Sequence, residues 1–105
     1  MKLPKIEINE KKISEIASSY KILELYVFGS ALRQDFTDKS DIDILIKLSK
    51  DSGYSIFELI EIKSKFEKLF KRKIDLVEID GLKNPYRRAE ILKTAKKIYA
   101  SSDMR

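Results

Sequence analysis

Residues 25–46 read LYVFGSALRQDFTDKSDIDILI, and this stretch decides the architecture. Leu23 to Phe28 is β-branched and aromatic, and Gly29 stops it, as expected of a strand. Ser30 to Gln34 fits a short helix, followed by the polar turn DFTDKS. Ile42 to Leu48 is a second strand, apolar almost throughout and therefore expected to be covered on both faces. The short return between the two strands favours antiparallel pairing, which brings Gly29-Ser30 beside Asp41.

The pattern extends outward in both directions. Upstream, Ile13, Ile16, Ala17 and Tyr20 recur at helical spacing from Asn9 to about Tyr20, with Asn9 as N-cap. Downstream, Asp51-Ser52-Gly53 is a turn, and Ser55 with Glu58 forms a capping-box pattern. Leu59, Ile62, Phe66, Leu69 and Phe70 then make one apolar helical stripe. Lys73 to Ile79 is a third strand, ended by Asp80-Gly81; the intervening helix is long enough for a parallel crossover from the second. Asn84-Pro85 opens a last helix with Ala89, Leu92, Ala95, Ile98 and Tyr99 on its apolar face. The expected fold is α/β (α+β): one domain over residues 1–105, in the order α-β-(short α)-β-α-β-α. Its three-stranded mixed sheet is covered by helices.

Composition narrows the chemistry. Among 105 residues there is no Cys and no His, which excludes disulfides, thiolate zinc sites and imidazole bases. Carboxylates, hydroxyls, Lys, Arg, backbone amides and bound ions remain. No apolar run approaches the ~20 residues of a membrane helix. The opening MKLPKIEINEKK lacks the apolar centre of a signal peptide, so a cytoplasmic protein is expected. The net charge of +5 lies wholly in the second half, since residues 1–52 hold nine basic and nine acidic side chains. Its clusters are Lys63, Lys65, Lys68, Lys71, Arg72 and Lys73, then Arg87, Arg88, Lys93, Lys96 and Lys97. Such a surface attracts polyanions or an acidic partner, and reads equally well as solvated helix surface. Aromatic residues are not interleaved with it, so direct nucleic-acid binding is not favoured.

Three aspartates stand out. Asp41 and Asp43 are two apart at the start of a strand and so share a face. Asp43 lies among Ile42, Ile44, Leu45 and Ile46, where a lone carboxylate is costly to remove from water. Asp75 repeats the pattern between Ile74 and Leu76-Val77. Parallel pairing gathers all three near the beginnings of their strands, where mutual repulsion calls for a cation. Mg²⁺ suits an all-carboxylate set. The plain structural reading has Asp41 capping a turn while Asp43 and Asp75 face water at a sheet edge. Gly29-Ser30 adds backbone amides and a hydroxyl between a strand and a short helix, a natural phosphate seat.

Gly29-Ser30, nine residues, then Ser40-Asp41-Ile42-Asp43, with KIDLV later, resembles the signature of the DNA polymerase beta-like nucleotidyltransferases, in particular the minimal nucleotidyltransferases. One departure is Arg33-Gln34-Asp35, where the family commonly has Arg-Gly-Asp. The resemblance implies that Asp41 and Asp43 hold two Mg²⁺ ions on the phosphates of ATP. Asp75 would complete the metal site and help deprotonate an incoming hydroxyl. Gly29 and Ser30 would contact the β- and γ-phosphates, with Arg33 and Ser40 as further nucleotide-binding residues.

The resemblance also implies an acceptor. Minimal nucleotidyltransferases are typically antitoxins paired with a small helical HEPN-type ribonuclease toxin, to whose tyrosine hydroxyl they attach AMP. Larger relatives carry an additional helical domain for the acceptor; a chain this short is expected to take its acceptor from a second protein, or to complete its pocket as a homo-oligomer. Two alternatives stay open: a non-catalytic module that neutralises its partner by binding, and a small-molecule (antibiotic) nucleotidyltransferase.

Overall fold

The computed structural model describes residues 6–32, 37, 39–49 and 55–101. Its sheet is organised around β2 (Ile42–Leu48). Ile42, Ile44, Ile46 and Leu48 are buried in the larger of two apolar clusters, whereas Leu45 is buried in the smaller one on the opposite face. A strand apolar on both sides needs a layer above and a layer below. β1 (Ile22–Phe28) pairs with it antiparallel and β3 (Ile74–Glu78) pairs with it parallel, both as the connection lengths predict.

The larger cluster lies under two helices. In α1 (Glu10–Ser19), Asn9 caps the N-terminus by accepting the Lys12 N–H at 3.1 Å, and Ile13 and Ala17 face the sheet. In α2 (Ile56–Phe70), the Ser55 hydroxyl accepts the Glu58 N–H at 3.4 Å, and Ile62 and Phe66 are fully buried. α2 ends at Lys71 in the left-handed conformation (φ 56°), whose N–H reaches the Glu67 carbonyl. The smaller cluster is Phe28, Leu45 and Ile79, closed by Leu82, Ile91 and Ala95 from in and around α3 (Pro85–Thr94). Asn84 caps α3, accepting from the N–H groups of Tyr86 and Arg87 at 2.9 and 3.2 Å.

Among the described residues the sheet has four strands, not the three expected. The expected last helix does not run through Ile98 and Tyr99: it ends at Thr94, Ala95 turns extended (ψ 144°), and Lys96–Ala100 forms β4. This strand pairs antiparallel with the side of β1 that β2 leaves open, giving the order β3-β2-β1-β4. Pairing the edge of an apolar strand outweighs one more turn of helix, and it carries Ile98 into the larger cluster. The chain order is therefore α1-β1-(3₁₀ turn)-β2-α2-β3-(3₁₀ turn)-α3-β4. The short helix expected at Ser30 to Gln34 is a single 3₁₀ turn, Gly29–Leu32; Gln34 lies outside the described residues. Among the described residues no helix is long and apolar enough to cross a membrane.

Candidate functional site

The site begins where β1 ends. Phe28 stands opposite Asp43 across the β1–β2 ladder, and Asp43 stands opposite Asp75 across the β2–β3 ladder. Alternation along β2 sends Ile42 and Ile44 to the helix-covered face and Asp43 and Leu45 to the other. Asp43 and Asp75 thus sit side by side on the face under α3, about 4.8 Å apart strand to strand. Asp43 is half-buried and Asp75 exposed. Asp41 is exposed on the lead-in to β2, two residues before Asp43.

Gly29 follows directly, with φ at +68°. A methyl group there would collide with the Asp43 carboxylate, whose Cγ lies 3.2 Å from the position a Cβ would take. Glycine is required twice, for the backbone conformation and for the clearance. The absence of a side chain lets the backbone of the 3₁₀ turn approach the carboxylate edge. Ser30 occupies the next position in that turn.

Ser40 has a local role. Its hydroxyl accepts the Thr37 N–H at 3.0 Å and lies 3.3 Å from Thr37 Oγ1, while its own N–H reaches the Thr37 carbonyl at 3.0 Å. It shapes the backbone that delivers Asp41. The same backbone is gripped by Arg72, which donates to the carbonyls of Thr37 and Ser40 at 2.9 and 3.0 Å. The sequence reading placed Arg72 only within a basic cluster with Lys71 and Lys73; nothing local distinguishes it, because its partners lie more than thirty residues upstream. Arg33 lies outside the described residues.

Among the described residues no three acidic side chains converge into a closed ligand cluster. What the backbone brings together is the pair Asp43 and Asp75, with Asp41 upstream. The donor set nevertheless fits a hard divalent cation: it is all carboxylate oxygen, adjacent carboxylates of like charge favour a cation between them, and Gly29 lets the backbone of the turn come close to the Asp43 carboxylate.

Beside Gly29, a cleft of about 490 Å³ opens between the 3₁₀ turn and α3. Phe28, Leu32 and Ile91 form its apolar lining, and Arg87, Glu90 and Thr94 its polar side. Further along the same face, Glu24 is buried and pairs with Lys97 at 3.0 Å; Lys97 Nζ lies 5.7 Å from the centre of the Tyr26 ring. The hydrogen bond to Glu24 pushes the Lys97 ammonium above its ordinary range, and burial, then Glu24, pushes the Tyr26 phenol up. Lys96 and Lys97, expected on a helix, belong to β4.

Residues 11–104 match the family model described as "Polymerase beta, Nucleotidyltransferase". The chain belongs to that family. Its similarity extends to the Methanocaldococcus jannaschii protein named "Putative protein adenylyltransferase MJ0126", 36% identical over 80 residues, which are 76% of this chain and 80% of that one. Among solved structures, a toxin-antitoxin crystallised with AMP-PNP superposes with a TM-score of 0.70 at 21% identity, covering 90% of this chain and 76% of that one. A second describes a tri-AMPylated Shewanella oneidensis HEPN toxin in complex with its MNT antitoxin, with a TM-score of 0.62 at 20% identity, covering 88% of this chain and 70% of the other. At these identities the likeness is one of fold, which in this chain is α/β, with three α-helices and a four-stranded sheet among the described residues.

Proposed function

We propose that the chain is a protein adenylyltransferase: it moves AMP from ATP to a tyrosine hydroxyl of a small helical HEPN-type ribonuclease toxin, and so acts as the toxin's antitoxin in the cytoplasm. The observation that carries this reading is the alignment of Asp43 with Asp75 on one open sheet face, directly beside the positive-φ Gly29. Family membership, an adenylyltransferase relative and a similar fold seen with an AMPylated toxin support it.

Asp41 and Asp43 would hold two Mg²⁺ ions with the triphosphate, Asp75 completing the set. Those ions supply the charge neutralisation that an in-line displacement needs. The chain's own groups do the rest. The Gly29-Ser30 backbone seats the β- and γ-phosphates, with Arg33 as a further phosphate partner. Ser40 holds the backbone ahead of Asp41. Asp75, exposed at the edge of the pair, accepts the proton of the incoming phenol. The phenolic oxygen bonds to the α-phosphorus as the bond to pyrophosphate breaks.

Intact-mass spectrometry of the partner tests the reading. Incubated with MgATP and this protein, the partner should gain one or more AMP units. The gain should vanish with Asp41→Asn/Asp43→Asn. Label carried on the γ-phosphate should leave no mark, since pyrophosphate departs with it. Tight binding without any mass change would instead establish a neutralising module that does not catalyse.

A further inference from the structure

We infer that Arg72 is a positioning residue for the catalytic metal site, holding Asp41 in register with Asp43 and Asp75. The inference rests on the adenylyltransferase reading above. Arg72 follows the C-terminus of α2 and comes three residues before Asp75. Its Nη1 donates to two carbonyls, Thr37 at 2.9 Å and Ser40 at 3.0 Å. The Ser40 carbonyl belongs to the peptide unit that begins Asp41, so this bond fixes the plane from which the Asp41 backbone departs. One guanidinium nitrogen thereby bridges both ends of the segment that Ser40 closes on Thr37.

The other end of the bridge is anchored as well. The Arg72 N–H bonds to the Glu67 carbonyl at 3.3 Å, and the Glu67 carboxylate accepts the Ile74 N–H at 3.1 Å. The Ile42 N–H bonds to the Lys73 carbonyl at 3.0 Å. The starts of β2 and β3, which carry the acidic residues, are thus tied to one capped helix end. Asp41 is the carboxylate that needs such a tie: Asp43 and Asp75 are placed by the β2–β3 ladder, whereas Asp41 precedes the strand. Partners that orient metal-binding carboxylates typically change metal affinity 10–100-fold when removed.

The test measures Mn²⁺ binding in the presence of a non-hydrolysable ATP analogue, by electron paramagnetic resonance, beside thermal unfolding. Arg72→Met should raise the Mn²⁺ concentration for half-saturation about tenfold. Arg72→Lys keeps a cation and a donor on a shorter side chain, and should fold and fall between the two, about threefold above wild type. Should Arg72→Met not fold, the Lys variant decides. Wild-type Mn²⁺ affinity in the folded variants overturns the assignment, and a lowered melting temperature with unchanged affinity does the same by reducing Arg72 to a staple of the fold. A wild-type protein that binds no Mn²⁺ with the nucleotide, or an Asp43→Asn variant that binds it equally well, overturns the adenylyltransferase reading itself and this inference with it.

Discussion

On the face covered by α1 and α2, β2 presents Ile42, Ile44, Ile46 and Leu48, packed with Ile13, Ala17, Ile62 and Phe66 into one continuous cluster. On the face under α3, the same seven residues present Asp43, Leu45 and Lys47. Among the described residues the second cluster there has only three buried members, and α3 itself buries none. One strand therefore serves two purposes through its period of two: one face holds the fold together and the other is left open for polar groups. The difference teaches that substitutions one residue apart should act on different quantities, stability on one side and transfer on the other.

The sharpest way to break this comparison is to cross the two readouts. Phe66, fully buried between α2 and the sheet, should cost about 3–5 kcal/mol when truncated to Ala, measured by denaturant unfolding. Asp75→Asn, at an exposed position on the other face, should alter stability by no more than about 0.5 kcal/mol while lowering transfer to the partner by about 10³-fold. If Asp75→Asn instead unfolds the protein, the open face is structural and the comparison fails.

The two faces were unequally legible in the sequence. The almost continuous apolar run of Ile42–Leu48, the Asn9 and Ser55 caps and the helix between β2 and β3 are local signals, and each is found in place. The parallel direction of β3 beside β2 was legible too, because connection length decides parallel against antiparallel, whereas the register that sets Asp43 opposite Asp75 is fixed by the packed sheet. β4 was missed because Ala89, Leu92, Ala95, Ile98 and Tyr99 satisfy a helical period equally well, and no Gly or Pro marks the break at Ala95. What decides it is the open side of β1, more than sixty residues away in the chain. The β-branched and aromatic pair Ile98-Tyr99 was the available hint. Arg72 was illegible for a related reason: within Lys71-Arg72-Lys73 it looks like solvated charge, and only the fold brings it to the carbonyls of Thr37 and Ser40.

A smaller effect tests the border between the faces. Gly29→Ala places a methyl group against the Asp43 carboxylate and holds a non-glycine residue at φ +68°. The expected loss of stability is about 1–2 kcal/mol. If the open face works as argued, transfer should fall further than that, by about 100-fold, because the displaced group is Asp43. A variant with normal transfer would show that the carboxylate has room to move and that Gly29 serves the turn alone.

The smallest effect concerns Glu24, a charged residue buried on the side that otherwise keeps its charges near solvent. Its side chain is 8% exposed and that of its partner Lys97 44%, so water screens the pair from one end only. Lys97→Met should therefore cost about 1 kcal/mol, between the values for exposed and buried pairs. The sign of its pH dependence follows from the Lys97 ammonium, held above its ordinary range by the hydrogen bond to Glu24. A raised pKa in the folded state means that the pair's contribution is fully present below the unfolded value of about 10.4 and is lost as pH rises through the folded value. Urea unfolding of wild type and Lys97→Met should thus differ at neutral pH and converge in strong alkali. A difference that persists after the ammonium has lost its proton would assign the effect to packing of the lysine stem over Tyr26 instead of charge.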